Sequence, residues 1–511
     1  MNISNQLSIT TRILIIIAIM AATLMQTLDM TIINVALPSM QGSLAARPDE
    51  ITWVLTSFLV SSAIFMPLTG YFADILGQKK YLLISIVGFV VSSALCGIST
   101  NITQIVIFRL LQGTAGAALI PLSQTIMSDI FPEQDRGKAM AIWGIGVMVG
   151  PILGPTLGGF ITEISTWRWN FYINVPVGIV SLILTWQYLP DTIKKERSMD
   201  WIGLILISTS IAALQYFLDR GNQDDWFNST GICIAAFLTI TGFLGFLLMA
   251  LMKNQQKTVF NLRIFLDRNF SLASILLAMF GLGLFGAMII LPLMLENLFN
   301  YPTLTTGLVM APRGIAAMIS MILMGRLIKT TDPRYLIAVG IILSSFGMYL
   351  GTYYNLNLSK EWIIGPIFIQ GLGMGMIFVP LSTLAFATLA DNLRQEASGL
   401  FNLLRTIGSS IGISIVANLL SRGIQIKWNQ FGGFVNLYNP NFLKYIQIFS
   451  EHKIPDLLGK SIIIKIIVNN AQMLSYVNIH AFITYSFLIM LPLILLFKKP
   501  QIITNPASVT E

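Results

Sequence analysis

Apolar residues along this chain gather into long runs divided by short polar stretches. Fourteen runs are read, at about 12–37, 51–71, 81–99, 103–126, 138–162, 169–188, 200–218, 230–251, 269–296, 304–327, 335–353, 362–386, 397–421 and 477–497. Most are near the ~20 residues a helix needs to cross a hydrocarbon core. A membrane barrel gives short alternating segments instead. The pattern therefore predicts an all-α polytopic membrane protein with fourteen transmembrane helices.

The runs also repeat. Pro38 in INVALP is echoed by Pro292 in AMIILP, and Gly70 in GYFADILGQKKYLL by Gly325 in GRLIKTTDPRYLI. Gln112 in QGTAGAALIPLS is echoed by Gln370 in QGLGMGMIFVPLS, and Gly150 and Gly154 by Gly408 and Gly412. The offset stays between 254 and 258 throughout. Two homologous halves follow, 12–188 and 269–497, each a six-helix bundle, with an inserted helix pair at 200–251. The second half carries one long extracytoplasmic loop, 422–476. Parallel six-span repeats around a midplane cavity are a transporter architecture. Two similar bodies can expose one cavity to either side in turn.

Composition fits a membrane protein. Of the 511 residues, 55% are hydrophobic and 11% charged, against about 25% charged in soluble domains. The net charge of +8 reports topology and not a nucleic-acid partner. With the N-terminus placed in the cytoplasm, inner segments hold 18 Lys and Arg residues against 4 in the short outer loops. The positive-inside rule then puts both termini in the cytoplasm. The first run is followed by no cleavable pattern and reads as a retained span. Cys96 and Cys233 stand singly, suggesting neither a disulfide framework nor a metal site. No cofactor site, phosphate loop or nucleophile triad is visible, and the reading is of a protein that is not an enzyme.

The chemistry lies inside the spans. Asp29, in LDMTIINVALP, sits midway along the first run, where a charge costs several kcal/mol, about 3 on the insertion scale. Intramembrane acids usually serve ions, protons or substrate. The plainer alternative ties Asp29 to Thr27, Thr31 or Asn34. Arg109 in the fourth run needs a partner or water. The repeat carries Asp29 to Gly283 and Arg109 to Ile367, so the second half lacks both charges. Packing residues repeat while the ionisable pair does not. Glu296 and Arg313 in the second half read as an interfacial ion pair.

In the fifth run Gly146, Gly150, Gly154 and Gly158 recur every four residues and make one smooth helix face. Pro151 and Pro155 loosen the backbone there. That face is either a close helix crossing or a hinge, and the two are compatible. Mixed polar and apolar residues put Gln26, Asn34, Trp143, Gln370, Met374 and Asn402 forward as substrate-cavity lining. Ordinary packing is the alternative for each. The aromatics of WRWNFYINVPVG read as an interfacial belt.

These motifs resemble the major facilitator superfamily. Gly70–Leu83 looks like its signature loop between spans two and three, and Arg109 with Gln112 and Gly113 like its fourth-span motif. Gly150–Gly159 is similar to the fifth-span motif of drug antiporters. LDMTIINVALP, WRWNFYINVPVG and the inserted pair resemble the fourteen-span drug:proton antiporters of the EmrB/QacA type. The resemblance implies proton coupling at Asp29 and Arg109, and a conformational latch at Gly70, Asp74, Gly77 and Lys79. Ile75 and Gln78 depart from the basic residues common in that loop, and Glu296 stands where a glutamine is frequent.

The implied function is proton-coupled export of amphipathic drugs or other toxic small molecules by alternating access. It would run in the bacterial cytoplasmic (inner) membrane, in contact with lipid. Relatives in two-membrane bacteria work with a periplasmic adaptor protein and an outer-membrane channel, and Arg422–Tyr476 is the segment placed to meet an adaptor. Proton-coupled nutrient uptake, export of an endogenous metabolite and a non-transporting sensor remain open from the residues alone. The fifth-span glycine–proline motif argues against uptake.

Overall fold

The computed structural model describes residues 8–498 apart from 48–49, 133–134, 193, 195–199, 253–260, 391–392, 437 and 453–454. Lys195, Arg197, Lys253, Lys257, Lys453 and Lys499, five of them among the cytoplasmic basic residues expected from sequence, lie outside the described residues. Among the described residues there is no strand. Fourteen helices are long and apolar enough to cross a membrane. They are α1 (Ile9–Ser43), α2 (Trp53–Leu76), α3 (Gln78–Ile98), α4 (Ile102–Ile130), α5 (Arg136–Ile164), α6 (Trp169–Tyr188), α7 (Trp201–Arg220), α8 (Thr230–Met252), α9 (Arg268–Leu298), α10 (Leu304–Leu327), α11 (Pro333–Tyr353), α12 (Lys360–Ala387), α13 (Arg394–Gly432) and α14 (Leu457–Ile494). Each coincides with one apolar run.

Short polar side chains set several of the starts by satisfying backbone N–H groups that a first helical turn leaves unpaired. Ser8 accepts from Thr11 N, Asn101 from Gln104 N, Asp200 from Gly203 N and Asp267 from Phe270 N. Breaks within spans fall where the sequence supplies a cause. In α2 a single tight turn, Met66–Leu68, forms at Pro67. In α4 the helix is interrupted at 117–118, and the freed Ile120 N–H donates to Gln26 of α1. Residues such as Ile84, Val87 and Val91 of α3 and Phe237 and Leu248 of α8 point outward, as lipid-facing positions must.

Small residues draw α1 and α5 together. A Cβ on Gly150 would lie 2.6 Å from Leu28 N, and one on Gly158 2.6 Å from Ile32 O. Thr31 of α1 donates across the crossing to Gly150 O at 3.1 Å. The second half repeats the arrangement: a Cβ on Gly408 of α13 would meet Ala278 C of α9 at 2.6 Å, and one on Gly412 would meet Leu282 Cα at 2.6 Å. The smooth faces are thus helix crossings inside each half. Pro151 and Pro155 lie within a continuous helix.

The halves meet along two seams, α5 against α10 and α13 against α2 and α4. α7 and α8 pack on each other, and α7 also leans on α2 and α13, one helix from each half. Thr56 of α2 donates to Asp219 of α7 at 2.6 Å.

The segment 422–476 corrects the expectation of a long loop. α13 has 39 residues, about 58 Å of helix at 1.5 Å per residue, nearly twice a ~30 Å hydrocarbon core. α14 begins at Leu457, and a short helix, Pro440–Glu451, lies between them. Lys460, Lys465, Asn469 and Asn470 make this stretch too polar for a further span. A helix that continues beyond the apolar layer has no such requirement.

Candidate functional site

Asp29 and Arg109 form a buried ion pair, with Arg109 Nη1 2.5 Å from Asp29 Oδ2. They are 0% and 1% exposed. Four helices complete the cluster. Gln112 of α4, one turn beyond Arg109, donates to Asp29 Oδ1 at 2.9 Å and accepts from Arg109 Nη1 at 2.8 Å. Asn174 of α6 donates to Asp29 Oδ1 at 3.1 Å and is held by Ser93 of α3 at 3.0 Å. Arg109 Nε donates to Val54 O at 2.9 Å, and its guanidinium lies over the Phe58 ring, 4.3 Å from the centroid. The carboxylate is thus held by three side chains. The alternative tethering by Thr27 or Thr31 is not what the structure shows: both hydroxyls donate to backbone carbonyls. The pair lies inside the N-terminal bundle rather than in the open seam.

Gln112 and Asn174 were present in the quoted motifs, but their roles were not legible. An amide in an apolar run signals a buried partner, and here both amides address the same carboxylate. In the second half the equivalent of Asp29, Gly283, faces the ring of Phe487. Gln370, the counterpart of Gln112, keeps both amide atoms without a partner.

Two adjoining cavities lie between the halves. One, of about 30 Å³, is lined by Met148, Pro151, Met374 and Arg313, among others. The other, of about 60 Å³, is lined by Thr27, Met30 and Thr31 of α1 together with Arg405. They share Met148, Pro151 and Leu284. The helix that carries Asp29 therefore also walls the seam, with a different face.

The expected cavity residues divide. Met374 lines the first cavity. Gln370 lines a neighbouring space of about 10 Å³ with Arg313, Tyr354 and His480. The other four are corrections. Trp143 is fully buried, donates to Ser123 Oγ at 3.0 Å and stacks on Phe378 of the other half with centroids 5.6 Å apart. Asn402 donates to Gln124 Oε1 at 2.7 Å across the seam. Gln26 caps the broken α4, and Asn34 is exposed. None of the four lines these cavities: Trp143, Asn402 and Gln26 each spend a polar group on a neighbouring helix, leaving Gln26 Nε2 and Asn402 Oδ1 unpartnered.

The Gly70–Leu83 turn lies at the end of the bundle where the even number of spans brings both chain ends. Gly77 takes φ +85°, a region that favours glycine, and Gln78 N donates to Thr192 Oγ1 at 2.8 Å. A Cβ on Gly70 would meet Glu396 Cγ of α13 at 2.6 Å. Asp74 and Lys79 are half-buried beside this contact. At the same end Lys329 Nζ lies 2.5 Å from Asp135 Oδ1, joining the two halves. The Lys329 hydrogen bond, with Lys138 adding to it, holds the Asp135 carboxyl below its ordinary value against partial burial.

Glu296 and Arg313 form no ion pair. Glu296 is half-buried in the terminal turn of α9, whereas Arg313 is 7% exposed, with Nε and Nη2 unpartnered. The aromatic belt is partial: Trp169 is exposed, but Trp167 and Phe171 are buried against each other, with Trp167 donating to Ser43.

Duplicated bundles meeting along a seam, with the fully buried Asp29–Arg109 pair in the first of them, define a secondary membrane transporter. The description Major Facilitator Superfamily matches residues 19–413, and the chain belongs to that superfamily, in its EmrB-type branch. It is 33% identical over 481 residues, 94% of each chain, to the fatty acid resistance protein FarB of Neisseria gonorrhoeae. It is 34% identical over 432 residues, 84% of each chain, to the multidrug export protein EmrB of Escherichia coli strain K12. The crystal structure of the human organic anion transporter MFSD10 matches with a TM-score of 0.59 at 13% identity, over 93% of this chain and 99% of that one. That likeness concerns the fold. The all-helical fourteen-span class and the superfamily kinship expected from the motifs both hold, in a multi-pass bacterial inner-membrane protein.

Proposed function

We propose that the protein exports amphipathic drugs or other toxic compounds from the cytoplasm in exchange for protons. The observation that carries this reading is the Asp29–Arg109–Gln112–Asn174 cluster, confined to one half of a duplicated fold. The multidrug export and resistance names of its relatives support the substrate class.

Asp29 would take a proton from outside and release it inside. Protonation cancels the charge that holds Arg109 Nη1 and the amides of Gln112 and Asn174. It thereby loosens α1 from α3, α4 and α6. The same helix packs by its threonine face on α5 and walls the seam cavity with Thr27, Met30 and Thr31. A shift of α1 thus reaches the place where a substrate would sit, with Gly150, Pro151, Gly154, Pro155 and Gly158 as the crossing on which it moves. Gly70, Asp74, Gly77 and Lys79, at the same end of the bundle as the Asp135–Lys329 bridge, would latch the cytoplasmic end in the closed state. Both termini would be cytoplasmic.

The drive is adequate. One charge moving through 100 mV supplies about 2.3 kcal/mol, and each pH unit about 1.4 kcal/mol, so one proton sustains more than a tenfold gradient of a neutral compound. We place a periplasmic adaptor, serving an outer-membrane channel, on the helical extensions of α13 and α14. The test is substrate-stimulated proton release from proteoliposomes. Proton flux rising with added amphipath supports exchange; movement of substrate with no proton movement would falsify it.

A further inference from the structure

Away from the ends of the spans three arginines are buried, Arg109, Arg313 and Arg405, and among the described residues Arg109 alone of these three is paired with an acid. Arg313 of α10 is 7% exposed, its Nε and Nη2 without any partner, and Arg405 of α13 is 8% exposed with no ion pair to a described acid. Both belong to the half that lacks the proton-site carboxylate. Both open onto the adjoining seam cavities, and neither of those cavities nor the small space behind Arg313 is lined by any Asp or Glu. On that far side stands Gln370, whose amide nitrogen and oxygen are also unpartnered.

A buried cation without a counter-charge is expensive. Two of them facing one seam would be removed or paired if they served packing alone. We infer that the seam is an anion-binding site, in which Arg313 and Arg405 receive the acidic head group of an amphipathic substrate.

A guanidinium matches a carboxylate, sulfonate or phosphate with two parallel hydrogen bonds. Gln370 supplies a further donor beside Arg313. Next to the cations the wall is Met148, Met288, Met310 and Met374, side chains that adapt to varied apolar tails. The cavities have room only for a few waters as they stand, so the head group enters when the seam opens. The inference rests on the export reading and deepens it by naming the charge of the cargo. It also changes the energetics: exchanging one proton inward for one monoanion outward moves two charges, so the potential acts twice as strongly as on a neutral cargo.

Purified protein in lipid nanodiscs is titrated with dodecanoate and with dodecyltrimethylammonium, which share a twelve-carbon chain. Wild type is expected to prefer dodecanoate at least tenfold. Arg313→Gln and Arg405→Gln should each lower that preference tenfold or more, while Arg313→Lys retains part of it. Monodisperse elution of each variant controls for folding. Equal affinity of wild type for the two head groups, or an unchanged preference in both glutamine variants, overturns the inference. Replacing chloride by gluconate separates the two sources of an anion. Chloride that saturates Arg313 and is not displaced by dodecanoate makes the site one for a small inorganic ion and overturns the substrate assignment. If neutral and cationic probes are exported with protons while dodecanoate neither binds nor moves, this inference fails and the export reading stands. If no probe of any charge moves with protons, the export reading itself fails.

Discussion

Arg109 Nη1 reaches Asp29 Oδ2 across two helices of one bundle, at 2.5 Å and out of contact with solvent. Removing one member of such a pair leaves the other as an uncompensated buried charge, at a cost of about 3–5 kcal/mol. Asp29→Asn is therefore expected to lower thermal stability in detergent and to abolish export driven by a pH gradient. In Asp29→Asn/Arg109→Gln both charges are gone, so stability returns toward wild type while transport stays lost. Melting temperature and vesicle flux, read together on both variants, separate a coupling role from a structural one. Normal active efflux by Asp29→Asn sinks the assignment.

Arginine rather than lysine matters at position 109. The guanidinium donates to Asp29, Gln112 and Val54 O and lies over the Phe58 ring. A lysine ammonium is a point charge on a flexible stem and matches neither the fork nor the ring. Arg109→Lys is expected to fold, retaining the charge, yet to lose at least tenfold in proton-coupled flux. Flux near wild type shows that charge alone suffices.

The α1–α5 crossing predicts a graded glycine series. Alanine at Gly150 places its Cβ 2.6 Å from Leu28 N, against backbone that cannot step aside. Overpacking of this kind costs about 1–3 kcal/mol. Gly365, with nothing within 4 Å of an added Cβ, is the matched control and should change stability by less than about 0.5 kcal/mol. Gly408→Ala, at the equivalent crossing of the second half, should behave like Gly150→Ala. Thermal unfolding of the three variants in one detergent checks the order.

Much of this was legible in the sequence, for a physical reason. Hydrophobic thickness fixes span length, so the fourteen runs marked the helices. Close crossings tolerate only small residues, so Gly150 and Gly154 and their echoes Gly408 and Gly412 marked the contacts. What did not show were partners brought together by folding. Asn174 lies 145 residues from Asp29, and no spacing along the chain announces their contact. Trp143 and Asn402 looked like lining because a polar edge in an apolar run signals either a ligand or a buried neighbour. Ser123 and Gln124 supplied the neighbour. Arg313 read as an interfacial partner of Glu296, and the fold turned it into the seam instead.

The Asp135–Lys329 bridge yields a pH prediction. The Asp135 carboxyl is held below its ordinary value, which is about 3.9 when unfolded. Its stabilising contribution is therefore complete above about pH 4. It is lost only as pH falls through the lower, folded value. Closure of the termini end should thus be flat between about pH 5.5 and 8 as far as this bridge is concerned. Both partners are part-exposed, so the bridge contributes at most about 1 kcal/mol, roughly a fivefold population shift. Lys329→Gln should raise maleimide labelling of a cysteine placed at Ala141, beside Gly325 of the other half, by up to about fivefold. In a background with Cys96 and Cys233 replaced, the rise should be equal at pH 6 and pH 8. A labelling rate in the unmutated bridge that changes tenfold across that range assigns closure to another titrating group.

The helical extensions of α13 and α14 separate transport from its use by the cell. They continue past the apolar runs, and between them lies a cavity of about 300 Å³ lined by Phe431, Phe442, Tyr445 and Ile466 with Asn439 and Asn470. None of these residues contributes to the Asp29 cluster or to the seam cavities. Replacing residues 433–455 by a short Gly/Ser linker removes the Pro440–Glu451 helix and leaves both spans intact. Flux in proteoliposomes, where no adaptor is present, should stay within about twofold, inside the ±0.5 kcal/mol of a surface change. Resistance of whole cells should fall to that of cells lacking the transporter, because cargo released into the periplasm returns through the inner membrane. Unchanged resistance removes the adaptor from this surface. Lost vesicle flux instead makes the hairpin part of the transporting body, through the packing of Leu457–Ile494 against α13.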